Sequence, residues 1–316
     1  MANPQIKMNI FWDLIKLARP LHWTKNLSIF AALVFSGDLY EKGTFFTVFL
    51  AFMAFNLAAS STYMFNDILD ANRDRLHPIK KSRPIARGSV PKSLALILAC
   101  LLAVTALTWA SLLSYLFFLA LLAYLLLQIA YSLFLKNLHI IDILIIASGF
   151  VLRVYSGAFV IDAHLSVWFL LCVISAALFL ASGKRRAELG AVDKPGLTRK
   201  SLSHYSRELL NSYVTMFGNA AWMSWALFTF FEPTRIPPSL WLFLAELSKT
   251  TTINKLLMIT IPVTIFGIMR YQNLIFEGRS EAPEKLLLTD IPLVASVAIW
   301  VGLVIFILYG TLLPIS

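Results

Sequence analysis

The stretch FNDILDANRDRLHPIKKSRPIARG, residues 65–88, sets Asp67, Asp70 and Asp74 beside a run of lysines and arginines in a chain that is otherwise mostly apolar. On a helix, Asn66, Asp70 and Asp74 fall at i, i+4 and i+8, and Asp67, Asp70 and Asp74 at i, i+3 and i+7, so either set shares one face. Carboxylates stacked in this way repel. Near a low-dielectric boundary they become tolerable when a divalent cation neutralises them, and hard oxygen ligands of this type suit Mg²⁺, which commonly bridges to substrate phosphates. Lys80, Lys81, Arg83 and Arg87 follow at once, with the charge to hold the diphosphate oxygens that the metal leaves. The simpler reading is that the acids end a membrane helix in water, with Arg73 and Arg75 as partners, and that the bases mark the inner side of a membrane. Four oxygen-bearing residues within nine positions, directly after an apolar span, favour a metal and diphosphate site.

Composition decides what elements can position these residues. With 59% hydrophobic, 13% aromatic and 14% charged residues over 316 positions, the chain has too little polar surface for a soluble globule and reads as an all-α, polytopic protein of the lipid bilayer. The formal net charge of +10 does not indicate nucleic acid, because the bases lie between apolar runs and no nucleic-acid motif is present. Spans of about 20 mostly apolar residues are expected at 27–37, 44–65, 93–111, 115–135, 140–161, 165–182, 212–231, 256–269 and 291–313, nine in all. The first is short enough to be a partial or tilted crossing. The N-terminal MANPQIKMNIFWDLIKLARPLHW lacks the apolar core and cleavage site of a signal peptide and suits a surface helix over about residues 8–20.

Lysine and arginine accumulate on the cytoplasmic side of membrane proteins. With the N-terminus inside, nine crossings put 22 of the 27 on that side and the C-terminus outside, which predicts a cell (inner or plasma) membrane protein with a cytoplasmic site. No linker divides the chain, so residues 1–316 form one domain. Its two longest basic segments, 66–92 and 184–211, suggest two similar halves meeting over one site. Cys100 and Cys172 lie in apolar stretches and read as buried hydrophobes. The five histidines show no metal-ligand spacing. Arg153 lies within a span, where an unpaired charge costs a few kcal/mol or more. It is expected to face the interior, either tied to carbonyls and other polar groups or lining a cavity as a phosphate contact.

The run NDILDANRD, read as Asn-Asp-x-x-Asp-x-x-x-Asp, resembles the first aspartate-rich motif of the UbiA superfamily of intramembrane prenyltransferases. The resemblance covers essentially the whole chain and implies a nine-transmembrane-helix bundle with a central cavity open to the cytoplasmic side. Ordinary members carry a second aspartate-rich motif after the sixth helix. This chain has SGKRRAELG there, residues 182–190, with Lys184, Arg185 and Arg186 as bases and Glu188 as the acid. The offset of four between Lys184 and Glu188 also fits a plain surface ion pair, whereas a basic second motif suits another phosphate group. Together with RPLHWTKN (19–26), HPIKKSRPIARG (77–88), YSLFLKN (131–137) and GKRRAEL, it resembles the branch of decaprenyl-phosphate phosphoribosyltransferases.

That resemblance implies Mg²⁺-dependent transfer of a 5-phosphoribosyl group from phosphoribosyl pyrophosphate to a polyprenyl phosphate, and an arabinose-donor role in cell-wall synthesis. Asn66, Asp67, Asp70 and Asp74 would place the metal. Lys81, Arg83 and Arg87 would hold the remaining pyrophosphate oxygens or the ribose 5-phosphate, and Lys184, Arg185 and Glu188 would orient the donor. Lys25 and Lys136 are candidates for the acceptor phosphate, and Tyr131 and Arg153 complete the substrate-binding set. For each lysine, ordinary cytoplasmic anchoring remains the competing explanation. Two other functions stay open: prenyl transfer to an aromatic or quinone-precursor acceptor, and transport. A transporter would place polar groups near the midplane of broken helices, whereas the charge here gathers at one face.

Overall fold

The structure, a computed structural model, describes residues 4–76, 80–190, 200–232, 253–277, 286 and 289–309. Expectations that fall on residues 77–79, 191–199 and 310–313, parts of the two basic segments and of the last span, lie outside the described residues. The described residues form ten α-helices and several 3-10 turns. The helices are α1 (Pro4–Ala18), α2 (Phe30–Ser36), α3 (Thr44–Leu76), α4 (Lys92–Leu113), α5 (Tyr115–Leu133), α6 (Ile141–Val160), α7 (Val167–Gly190), α8 (Arg207–Phe231), α9 (Ile261–Phe276) and α10 (Ile291–Tyr309).

Seven stretches among the described residues are long and apolar enough to cross a bilayer: α3 to α7, Leu256–Phe276 and α10. Two of the expected nine spans differ. The first, expected at 27–37, is the end of a 3-10 run, Pro20–Ile29, followed by the seven-residue α2, and is too short to cross by itself. Helix α8 is long enough at 25 residues, but Ser212, Thr215, Asn219, Ser224 and Thr229 dilute it.

Helix α3 has 33 residues, about 50 Å at 1.5 Å per residue, against a hydrocarbon core of about 30 Å. The expected span stops at Phe65, yet the helix runs on to Leu76. Asn66 to Asp74 therefore ride on a helical extension and not on a loop, as does GKRRAEL at the end of α7. Elsewhere the sequence punctuates itself. Ser114, in extended backbone, ends α4 and caps α5, its Oγ accepting from Phe117 N at 3.4 Å. Ser206 caps α8 through Leu209 N at 3.1 Å.

The chain divides into two compact units. The first comprises residues 1–33, 41–163 and 194–204 and contains α1 and α3 to α6. One of its apolar clusters joins Leu17 of α1, Met64 and Ala71 of α3, Ile85 and Val90 of the following turn, and Ala95 and Ala99 of α4. That cluster pins the basic turn 80–90 under the end of α3. Gly88, at φ +84°, makes the left-handed bend that returns the chain to α4. The second unit comprises 34–40, 164–193 and 205–316. In it Phe179 of α7, Val214 of α8, Tyr271, Leu274 and Ile275 of α9, Leu293 of α10, and Leu286 from the connection before α10 form a core cluster. Arg270 and Asp290 join α9 to the start of α10 with two hydrogen bonds, at 3.0 and 2.7 Å.

Candidate active site

Asp67 and Asp74 lie two turns apart on α3, both buried, at 3% and 4% exposure. Left unpaired, two such buried charges would be costly. The turn after α3 supplies the answer: Arg83 Nη1 donates to Asp67 Oδ1 at 3.0 Å and to Asp74 Oδ2 at 2.7 Å. The two acids thus converge on one cation. Asp67 Oδ1 takes a second donor, Arg19 Nη2, at 2.5 Å. Asp70, between them in sequence, accepts from Lys136 Nζ at 2.8 Å. Lys136 is itself buried, at 4% exposure. It sits on a 3-10 turn, Leu135–Asn137, between α5 and α6, and Ile140 holds a strained φ of +68° a few residues on. Asn66 is half-buried beside these acids, and Lys81 is exposed.

Arg87 turns toward the surface helix, where its Nη2 donates to Asp13 of α1 and its Nε to Ser89 Oγ at 3.0 Å. Asp13 is buried, at 1% exposure. Burial pushes its carboxyl up, but hydrogen bonds from Ser89 and Arg87 and the positive charges of Arg87 and Lys16 outweigh this and hold it below the usual aspartate range.

Arg153 is buried inside the first unit at 5% exposure. Its Nε donates to Asn26 Oδ1 at 2.6 Å, its Nη1 to Gly149 O at 2.7 Å and its Nη2 to Tyr124 Oη at 3.0 Å. The guanidinium also lies 4.9 to 5.4 Å from the rings of Tyr124, Phe55 and Phe150. Neutral acceptors and ring faces stand in for water around the charge. Of the two expectations for Arg153, this geometry matches the polar tie. Asn26 in turn donates to Asn56 Oδ1 on α3 at 2.6 Å.

In the second unit, Arg185 is fully buried and its Nη1 donates to Glu188 Oε2 at 2.5 Å, one turn on. The acid of this motif is thus bound to Arg185, three residues before it. Arg186 donates to Asn211 Oδ1 at 2.6 Å, and Lys184 is half-buried. Lys25 and Tyr131, both half-buried, lie on the Pro20–Ile29 segment and near the end of α5.

Asp67, Asp70, Asp74, Arg83 and Lys136 are thus brought together in one unit. Arg87 belongs to the same turn but is engaged by Asp13. Sequence reading passed over three partners: Asp13, Arg19 and Asn26. Asp13 is the one acid in α1, and a lone carboxylate in an amphipathic helix was the available signal. Arg19 and Asn26 bound the quoted run RPLHWTKN, and Arg19 takes a left-handed backbone, φ 51° and ψ 60°, directly before Pro20. For a residue with a side chain that conformation costs roughly 1–2 kcal/mol.

Whether these acids suit Mg²⁺ depends on how many converge. Among the described residues no three His, Cys, Asp or Glu side chains form a ready-made cage. Two carboxylates, Asp67 and Asp74, meet at a single positive group. Mg²⁺ is typically held by one or two carboxylates with waters and substrate phosphates completing its octahedron, so the donor set fits.

Comparison with known proteins agrees with this architecture. The chain is 37% identical over 299 residues to the decaprenyl-phosphate phosphoribosyltransferase of Mycolicibacterium smegmatis, covering 93% of this chain and 92% of that one. It is 33% identical over 308 residues to the enzyme of the same name from Corynebacterium glutamicum, covering 95% and 88%. Its fold matches a UbiA homologue of Archaeoglobus fulgidus, solved with DMAPP and Mg²⁺ bound. That match has a TM-score of 0.68 and 17% identity, over 94% of this chain and 99% of the other. Residues 26–245 match the model of the UbiA prenyltransferase family, and the chain belongs to that family.

Proposed function

We propose that this membrane protein transfers a 5-phosphoribosyl group from phosphoribosyl pyrophosphate to a polyprenyl phosphate and releases pyrophosphate. The observation that carries the reading is the near full-length similarity to decaprenyl-phosphate phosphoribosyltransferases. The basic run Lys184 to Arg186, where other family members are expected to bear aspartates, supports it.

In this reaction the bond from C1 of the ribose to the pyrophosphate oxygen breaks, and its electron pair leaves with pyrophosphate. An oxygen of the lipid phosphate supplies the pair for the new bond to C1. The acceptor oxygen is already anionic, so the site needs cations to hold it and no base to activate it. Bound by Asn66, Asp67, Asp70 and Asp74, Mg²⁺ would neutralise the charge that gathers on the departing pyrophosphate, a contribution of several kcal/mol. Arg83 and Lys136, which neutralise these acids in the structure, provide positive charge beside the same group. Lys81 and Arg87 are assigned to the remaining donor oxygens, and Lys184, Arg185 and Glu188 to orienting the donor. Lys25 and Tyr131, with Lys136, are assigned to the acceptor phosphate. Arg153 is assigned to holding the frame, in keeping with its partners. The reading also takes the stretch through α2 and helix α8 as the eighth and ninth crossings, with the N-terminus and the site on the cytoplasmic side of the cell membrane.

Purified protein with Mg²⁺, labelled phosphoribosyl pyrophosphate and a polyprenyl phosphate should yield labelled lipid, and a chelator should abolish it. A parallel mixture with a prenyl diphosphate and aromatic acceptors should yield none. Product from the second mixture alone would overturn the reading.

A further inference from the structure

Of the run Arg19–Asn26 only Lys25 has a role in the proposed transfer, yet the run is bonded along one face of α3. Asn26 Nδ2 donates to Asn56 Oδ1 at 2.6 Å, and Trp23 Nε1 to Ser60 Oγ at 3.1 Å. Ser60 Oγ donates back to Ala18 O at 2.9 Å. Arg19 lies 5.2 Å over the Tyr63 ring and donates to Asp67 Oδ1 at 2.5 Å. Residues 56, 60, 63 and 67 are spaced by four, three and four, which is one stripe of an α-helix. The far end of the run is anchored by Arg153, which donates to Asn26. The near end closes on the acid motif in a left-handed backbone at Arg19, a conformation that persists only where its surroundings over-determine it.

We infer that Arg19–Asn26 is a strut that sets the attitude of the acid motif, and that Arg19 is the positioning residue for Asp67. Arg83 shares its donation between Asp67 and Asp74, so Arg19 is the partner that constrains Asp67 from another direction. With Oδ1 held by Arg19, the carboxylate has a fixed rotation from which to meet a metal. The guanidinium also adds positive charge beside a complex of Mg²⁺ and pyrophosphate that is net anionic. Groups that orient a metal-binding carboxylate in this way typically change metal affinity or activity by 10- to 100-fold when removed.

This inference rests on the acids binding a metal–diphosphate and not on the identity of the acceptor. The test is calorimetric titration of detergent-purified Arg19→Gln with Mn²⁺ alone and with pyrophosphate in excess Mg²⁺, alongside its thermal midpoint. The expected result is Mn²⁺ and pyrophosphate binding each about tenfold weaker, with an unchanged midpoint. Arg19→Lys keeps a charge without the planar fork, falls between the two, and replaces the glutamine variant if that does not fold. A merely structural residue would lower the midpoint and weaken both titrations together. That result, or parental pyrophosphate binding in a folded variant, overturns the inference. Loss of pyrophosphate binding in Arg19→Gln, with no phosphoribosyl transfer by the parent, would sink the proposed function and leave this inference standing.

Discussion

Asp70 and Asp74 differ in their surroundings, and the difference has consequences that can be measured. Asp74 shares Arg83 with Asp67, while Asp70 holds Lys136 from another part of the chain. Replacing either with asparagine keeps the shape and removes the charge that a metal needs, so turnover at saturating Mg²⁺ should fall by at least about 10-fold in each variant. Unchanged Mg²⁺-dependent release of pyrophosphate from both variants would refute their assignment as metal ligands. Asp13 makes a prediction in pH. Its folded carboxyl sits below the ordinary aspartate value, so the unfolded chain binds the proton more readily. The stability it contributes is complete above about pH 4 and is lost as pH falls through the lowered folded value. Thermal midpoints of the parent and Asp13→Asn should therefore differ near pH 6 and approach each other toward pH 3; a constant gap would exclude the mechanism. The acids and bases of the site were legible in the sequence because their spacing is local. Their partners were not: Arg19 meets Asp67 across 48 positions, Lys136 meets Asp70 across 66 and Arg87 meets Asp13 across 74. No periodicity reports a pairing that the fold alone creates.

Helix packing makes its own demand at Gly157. A Cβ there would stand 1.9 Å from the backbone oxygen of Ile29, so α6 touches the end of the Pro20–Ile29 segment backbone to backbone, one turn beyond Arg153. Small residues allow such approaches in membrane helices. A carbonyl cannot rotate aside as a side chain does, and Gly157→Ala should cost about 3 kcal/mol or more, beyond ordinary overpacking. Gly183 on α7 offers the contrast. Its nearest neighbours are the tip of Ile275 at 2.6 Å and the ring of Tyr271 at 3.0 Å, both side chains, so Gly183→Ala should cost about 1–3 kcal/mol. Thermal unfolding of the two variants in detergent decides the order, and equal losses would contradict it. Most helices were legible, with α4 to α6 and α10 beginning within two residues of the expected spans, because long apolar runs bounded by polar residues have few other solutions in lipid. The continuation of α3 past Phe65 was legible only in the spacing of its acids, since apolar content marks where a membrane ends and says nothing about where a helix does. The first span, 27–37, is too short for hydropathy alone to define, and the polar atoms of Trp23 and Asn26 just before it serve contacts to α3 and α6.

At the scale of the whole chain, the asymmetric distribution of bases predicts an orientation that a pair of cysteines can check. Lys42 lies in the short connection before α3, and Lys92 begins α4 beyond the acid motif; both are exposed. The intervening helix is long and apolar enough to cross once, so the two positions should lie on opposite sides of the membrane. The basic residues between Arg73 and Lys92 predict that the Lys92 side faces the cytoplasm. The native cysteines do not interfere once replaced: Cys100 is exposed on α4 and Cys172 is buried on α7, and serine at both gives a silent background. In intact cells a membrane-impermeant maleimide should then label Lys42→Cys and leave Lys92→Cys unmodified until the membrane is permeabilised. Labelling of both in intact cells would remove the crossing at α3. The reversed pattern would put the acids of α3 outside the cell, away from the cytoplasmic pool of phosphoribosyl pyrophosphate. Orientation therefore tests the function as well as the topology, because a donor made inside the cell can be used only by a site that faces it.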